Sequence, residues 1–235
     1  MPRALLKRWR WVGVFTPELM LCAGHAHVGP VPKSWWAIAL PDGTLREGRR
    51  CTVAAGRVSV PGVLDVEFDE SDGVEVVSPE GLWTRKQAGL PARGTVLGRP
   101  LEGRAFIDDS RGRHPHHTAW YWSAGVGVSD ASEPLAWNLV DGIHDAPTGS
   151  ERRVWRSGEP YEVGPVEFAP DLSRIGFAEG GELRFSPWAV RSENINLLVF
   201  RSRYRQPFGT FTGELPGGLR LRSGQGVMEE HDVLW

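Results

Sequence analysis

Cysteine is scarce, with Cys22 and Cys51 the two thiols in 235 residues. Two thiols cannot build a disulfide scaffold and fit no zinc-ligand spacing, so buried free thiols, or at most one bridge, are expected in a reducing cytoplasm. An excess of charge is also missing. Lys and Arg number 27 against 29 Asp and Glu, a formal net charge of -2, which creates no field to attract nucleic acid or an anionic membrane. No run approaches the roughly 20 apolar residues of a membrane span. The start, MPRALLKRWRWVGVF, has neither a long apolar stretch nor a small-residue cleavage site, so no export leader is expected. Helical patterning is equally thin: no long segment carries a 3.6-residue apolar stripe, and short helices are expected only at Glu80 to Gln87 and Pro187 to Arg191. Nucleophile elbow, phosphate loop and dinucleotide fingerprint are all lacking.

What the chain has instead is 11 Trp, 29 Gly and 18 Pro, large apolar rings among turn formers. Period-two alternation recurs from Arg8 to Phe15 through Leu219 to Arg222, each instance bounded by Gly, Pro, Asp or Ser. That pattern predicts antiparallel strands and an all-β protein with little helix. So many sequential strands avoid exposed edges by closing into a barrel or by pairing two sheets. A single all-β domain over 1–235 is expected, with a division into two β halves conceivable near 79–100. No internal repeat at fixed period is visible. The segment GLWTRKQAGLPARGTV lacks clean periodicity and reads as a functional or connecting loop.

Chemistry concentrates between Asp108 and Trp155, which hold four of the seven histidines and four of the tryptophans. If the runs there pair as a hairpin, proton-moving groups lie beside apolar walls, as in a ligand pocket. Asp108 and Asp109 point to opposite faces of an extended chain, so one of them can face a pocket; Asp109, with His116 or His117, is the expected acid/base pair, and Glu151 is a second candidate acid. Trp120 and Trp122 share a strand face and would wall the cavity with Trp137. Asn138, Asp141 and His144 would orient a ligand, and Tyr204 could serve as proton donor or clamp. The Arg85–Lys86 pair reads as solvated. The thinned run SAGVGV lets a backbone or a ligand approach closely.

The leading expectation is therefore binding of an apolar or amphipathic small molecule, with cofactor-free acid/base hydration, isomerisation or cyclisation as its enzymatic form. Protonating an alkene needs a carboxylic acid whose pKa is raised by apolar burial. One alternative is a metal-dependent enzyme using His114, His116 and His117, because His-x-His places two imidazoles on one strand face. Another is a non-catalytic structural or interaction protein whose aromatics only pack. Oligomeric state is left open.

The runs WRWVGVFTPELMLCAG, LWTRKQAG, HTAWYWSAGVG, WNLVDGIHDAPTGSE, RQPFGTFTGELPGG and GVMEEHDVLW together resemble an uncharacterised bacterial family known as domain of unknown function number 2804. The resemblance covers nearly the whole chain and implies no established reaction. It also implies that this copy lacks a longer N-terminal region carried by many members. More distantly, the Trp-rich strands and the WNL hairpin are similar to lipocalin-like (calycin-like) carotenoid hydratases and their relatives, which handle polyenes in paired β-barrel-like domains. That implies a lipocalin-like antiparallel barrel or paired sheets, and carries over no catalytic motif.

Overall fold

The structure, a computed structural model, describes residues 5–197 and 200–235. Strands β1 (Lys7–Phe15), β2 (Met20–Val28), β3 (Val31–Ala39) and β4 (Leu45–Gly48) run outward as an antiparallel meander. Strands β5 (Thr52–Ala54), β6 (Arg57–Val60), β7 (Leu64–Phe68), β8 (Val74–Val77), β9 (Trp83–Val96) and β10 (Arg99–Gly112) return from the far edge. The result is a ten-stranded sheet ordered β4-β3-β2-β1-β10-β9-β7-β6-β5, with β8 on β9.

The chain passes to a second sheet between Gly112 and His117, later than residues 79–100, most of which belong to β9. There β11 (His117–Ser129), β12 (Pro134–Asp141), β13 (Arg153–Arg156) and β14 (Glu159–Glu162) form the outgoing meander. Strands β15 (Val166–Phe168), β16 (Arg174–Phe177), β17 (Glu182–Leu197), β18 (Phe200–Leu215) and β19 (Leu219–Leu234) come back until β19 pairs with β11. The order, β14-β13-β12-β11-β19-β18-β17-β16-β15, repeats the topology of the first sheet. Both sheets are curled antiparallel half-barrels, and no helix occurs among the described residues.

Three apolar cores follow from this arrangement. One, with Val12, Val14, Leu21 and Ile107, fills the hollow of the first sheet, and another, with Trp137, Leu139, Phe185 and Phe211, fills that of the second. The third, with Trp11, Phe106, Trp122, Ala136, Trp155 and Phe208, lies where the sheets meet. Central strands are thus buried on both faces, which is why VGVF and AGVGV are apolar without interruption. Half-buried Arg104 ties the sheets together, donating from β10 to the carbonyls of Leu135 at 3.1 Å and Gly127 at 2.6 Å.

Both expected helices, and the expected loop at GLWTRKQAGLPARGTV, are strand instead. In β9, Leu90 pairs with Ala105 and Ala88 with Phe106, so Gly89 is an extra residue, at φ 72°. In β17, Trp188 is the corresponding extra residue between Pro187 and Ala189. A bulge reverses the phase of inward and outward residues, so the expected loop and the Pro187 to Arg191 segment lose the alternation that marks a strand. In Glu80 to Gln87, which ends before Gly89, the buried alternate positions Thr84 and Lys86 are polar and show no apolar rhythm. Cys22 and Cys51 are free thiols, the first buried and the second half-buried.

A candidate ligand cavity between the two sheets

A cavity of about 630 Å³ lies between the sheets. Its walls begin with a motif that occurs once in each: Trp9-Arg10-Trp11 on β1 and Trp120-Tyr121-Trp122 on β11, the central strand of each sheet. Period two turns both rings of each motif to the same face. Across the gap Trp9 and Trp120 stack at 6.4 Å with an interplanar angle of 2°, and Trp11 meets Trp122 edge-on at 5.1 Å. Trp35 on β3 extends the wall. Its ring lies flat over Gly24, where an added Cβ would sit 2.5 Å from the indole. Exposed Leu5 and Val31, with Pro30, Ile195, Phe200 and Trp235, form an apolar rim.

Each motif carries a matched carboxyl. On β10, Asp108 sits opposite Trp11; on β19, Glu229 sits opposite Trp122. In both cases the first tryptophan donates its indole N–H to that carboxyl, Trp9 to Asp108 at 3.4 Å and Trp120 to Glu229 at 2.9 Å. The next partner breaks the symmetry. Asp108 meets the Lys86 ammonium on β9, whereas Glu229 accepts from the neutral amide of Gln206 on β18 at 2.9 Å. Tyr204 also hydrogen-bonds Glu229.

The two carboxyls consequently differ in charge environment. Burial, aided by the negative charge of Asp108, pushes Glu229 up to about 7 against the opposing donors Trp120, Tyr204 and Gln206. Burial alone would lower the pKa of Lys86, but Asp108 and Glu151, the latter at 3.3 Å, raise it, so the lysine stays an ammonium. His231 is pushed down to about 3 by burial and accepts or donates at 2.9 Å with Ser202; the neutral ring lies edge-on to Trp120. His144 is lowered by burial too, and neither of its ring nitrogens has a hydrogen-bond partner. An apolar box with one acid near neutrality and one ion-paired carboxylate can donate a proton at one wall and accept one at another.

The residues singled out in the sequence divide cleanly. Trp120, Trp122, His144, Glu151 and Tyr204 line the cavity. Asn138 lies behind the wall: its side chain accepts from the Trp122 indole at 2.8 Å and donates to the Glu151 carbonyl at 2.9 Å. Replacing Asn138 with Leu should leave that indole unpaired and lower stability by about 1–3 kcal/mol, measured by urea unfolding. Asp109 faces the other side of β10, in an ion-pair group with Arg10 and Arg85. His116 and His117 are exposed, the latter against Asp232 at 2.8 Å, while His114 is buried beside Trp9. No trio of His, Cys, Asp or Glu among the described residues is arranged to hold a metal ion, so the three-histidine metal reading is withdrawn. Trp137 points into the core of the second sheet over Gly125, which explains the thinned SAGVG run, and Asp141 is exposed. Register decides this: Trp122 pairs with Val140, so Asn138 and Val140 share its face and Trp137 takes the opposite one.

Lys86, Asp108, Glu229, Trp9 and Trp11 were missed as site residues. The recurrence of Trp-x-Trp at 9/11 and 120/122 was the available signal for the tryptophans. Nothing local marks Lys86, whose place beside Arg85 in a polar run reads as solvated, or Glu229.

The family model of the domain of unknown function DUF2804 matches residues 65–235. The chain belongs to that family. The DUF2804 chain is also similar in fold to solved structures of low sequence identity. A candidate AttH of Nitrosomonas europaea is 14% identical with a TM-score of 0.51, over 97% of this chain and 92% of that one. CghA is 10% identical with a TM-score of 0.52, over 98% and 88%. Kievitone hydratase of Nectria haematococca is 10% identical with a TM-score of 0.51, over 97% and 88%. At these identities the likeness establishes the lipocalin-like fold of this DUF2804 protein and nothing of its chemistry. No curated protein matches the chain. No helix among the described residues is long and apolar enough to cross a membrane.

Proposed function

We propose that this protein binds an apolar or amphipathic small molecule between its sheets and transforms it without a cofactor, by hydration, isomerisation or cyclisation of an alkene or carbonyl compound. The observation that carries this reading is the pair of matched carboxyls, Asp108 beside an ammonium and Glu229 held protonated up to about 7. Glu229 donates a proton to the substrate. The faces of Trp120, Trp122 and Trp11 stabilise the positive charge that develops. The carboxylate of Asp108, or of Glu151, takes the proton released when water adds or when a neighbouring C–H bond breaks. A purely binding protein has no need of an acid near neutrality in a dry pocket. The fold shared with kievitone hydratase supports hydration as one member of this class. Free thiols are in keeping with a reducing, cytoplasmic setting.

Native mass spectrometry of untreated protein, followed by denaturing extraction, tests the binding. A retained organic molecule gives the scaffold of the substrate, and elemental analysis of the same sample checks for metal. Turnover of compounds on that scaffold should fall as pH rises through about 7. Glu229→Gln should still retain the molecule yet lose at least about 100-fold in turnover. A pH–rate profile identical in wild type and Glu229→Gln would sink the assignment of the acid.

A further inference from the structure

Besides Lys86 the cavity is lined by two cations that the proposed chemistry does not use, Lys33, which is ion-paired to Glu193, and Arg191. Arg191 on β17 stands in register with Gln206 and lines the cavity, its side chain 9% exposed. Its guanidinium lies over the ring of Tyr204 at 5.0 Å and of Trp35 at 5.8 Å. The Nε atom is buried without a hydrogen-bond partner. One carboxylate approaches it, that of Glu47 at 3.4 Å, and Glu47 is 48% exposed. A buried guanidinium held between two aromatic faces, with Glu47 half-exposed and Glu193 engaged by Lys33, keeps an Nε–H without a hydrogen-bond partner at the cavity wall.

The charges elsewhere give the cavity a direction. In the first sheet Trp35, beside Arg191, is on β3, and Lys86 is on β9, four strand spacings away along β3-β2-β1-β10-β9. In the second sheet Arg191 is likewise four spacings from β12, the strand whose Asn138 carries Glu151. At about 4.8 Å per spacing, the two ends lie roughly 19 Å apart along the sheets. The Lys86 end carries two carboxylates, Asp108 and Glu151, around one ammonium and is net negative. The Arg191 end carries two cations, Arg191 and Lys33, against Glu193 and the half-exposed Glu47, and so lacks the net negative charge of the Lys86 end. Between them runs the tryptophan wall with Glu229.

We infer that the ligand is an elongated unsaturated carboxylic acid, its carboxylate held by Arg191 and its apolar body laid along the tryptophans past Glu229 toward the Lys86 end. This rests on the reading of the cavity as an apolar-ligand site. Two parallel N–H···O bonds from the guanidinium to a carboxylate would satisfy the orphaned Nε–H, and the negative far end would reject the reverse orientation.

The test uses the full chain and two fluorescent polyenes, cis-parinaric acid and its methyl ester, titrated at pH 8, where the free acid is ionised. Wild type should bind the acid at least tenfold more tightly than the ester. Arg191→Met should bring acid binding down to that of the ester while the ester is unchanged. Arg191→Lys, which keeps the charge but not the fork, should give an intermediate ratio, and it keeps the question answerable if the Met variant does not fold. Equal binding of acid and ester by wild type, or a parallel loss of both in Arg191→Met, overturns the carboxylate assignment alone. Failure of both polyenes to bind wild type overturns the cavity reading on which it stands.

Discussion

Lys86→Met is expected to cost about 3–5 kcal/mol of folding stability at neutral pH, the usual penalty for removing one member of a buried ionic group. Lys86 is 3% exposed and is the cation shared by Asp108 and Glu151, which are themselves buried. Without it two carboxylates face each other in an apolar pocket, and the protein must either protonate them or open. Lowering the pH should therefore recover part of the loss. Lys86→Met combined with Asp108→Asn and Glu151→Gln should recover most of it, because no charge is then left uncompensated. Urea unfolding of the single and triple variants at pH 5 and pH 8 measures both effects. A single variant as stable as wild type at pH 8 would mean that Lys86 is solvated, as its place in the sequence suggested, and that the matched-carboxyl asymmetry does not exist.

Glu229→Gln should make the protein more stable at high pH even as it removes the proposed proton donor. The folded-state pKa of Glu229 is raised from 4.5 to about 7, first by burial and then by Asp108. Below about pH 4.5 both folded and unfolded chains hold the proton, and the contribution to stability is fully present. Between about 4.5 and 7 the unfolded chain releases the proton while the folded one keeps it, so stability is lost as pH rises. Each unit of that gap carries about 1.4 kcal/mol, giving about 3 kcal/mol in all. The difference between the unfolding free energies of Glu229→Gln and wild type should grow in favour of the variant by that amount from pH 4 to pH 8. Taking the difference removes His231 and His114, whose depressed pKa values of about 3 and about 4 work in the opposite direction as pH falls. Gln206→Lys should do by electrostatics what Glu229→Gln does by chemistry, since it rebuilds the Asp108–Lys86 pair at the second position. The Glu229 midpoint should fall from about 7 toward the ordinary carboxyl range, and turnover at pH 7 should fall with it. A flat difference curve would contradict a buried, protonated Glu229.

Much of the fold could be read before any coordinates. Alternation bounded by Gly, Pro and Asp located most strands from Arg8 to Leu219, and the scarcity of 3.6-residue stripes agreed with the absence of helix among the described residues. The failures were local and had two causes: Gly89 and Trp188 are bulge residues, and a bulge erases the two-residue rhythm on which strand recognition depends, while from Trp83 to Gln87 the buried alternate positions Thr84 and Lys86 are polar. In the site, Trp120 and Trp122 were legible because a strand puts alternate residues on one face. The same rule, applied to the register of β11 with β12, would have sent Trp137 to the opposite core, but register is a property of the pairing and not of either strand. Asp108 and Asp109 could be recognised as facing opposite ways. Which one faces the cavity follows from the pairing of β10 with β1.

By itself, then, the sequence determined an all-β chain, rich in tryptophan, with opposed carboxylates and one aromatic strand face suited to a small-molecule pocket. The rest belonged to tertiary structure. Two sheets that share one strand order, apart from β8 in the first, face each other and bring Trp9 to Trp120 and Trp11 to Trp122 across more than a hundred residues. The pairing of β10 with β9 and of β19 with β18 then gives one carboxyl a lysine and the other a glutamine. The physical reason is that a pKa depends on which charges and how much water surround a group, and strands distant in sequence supply both.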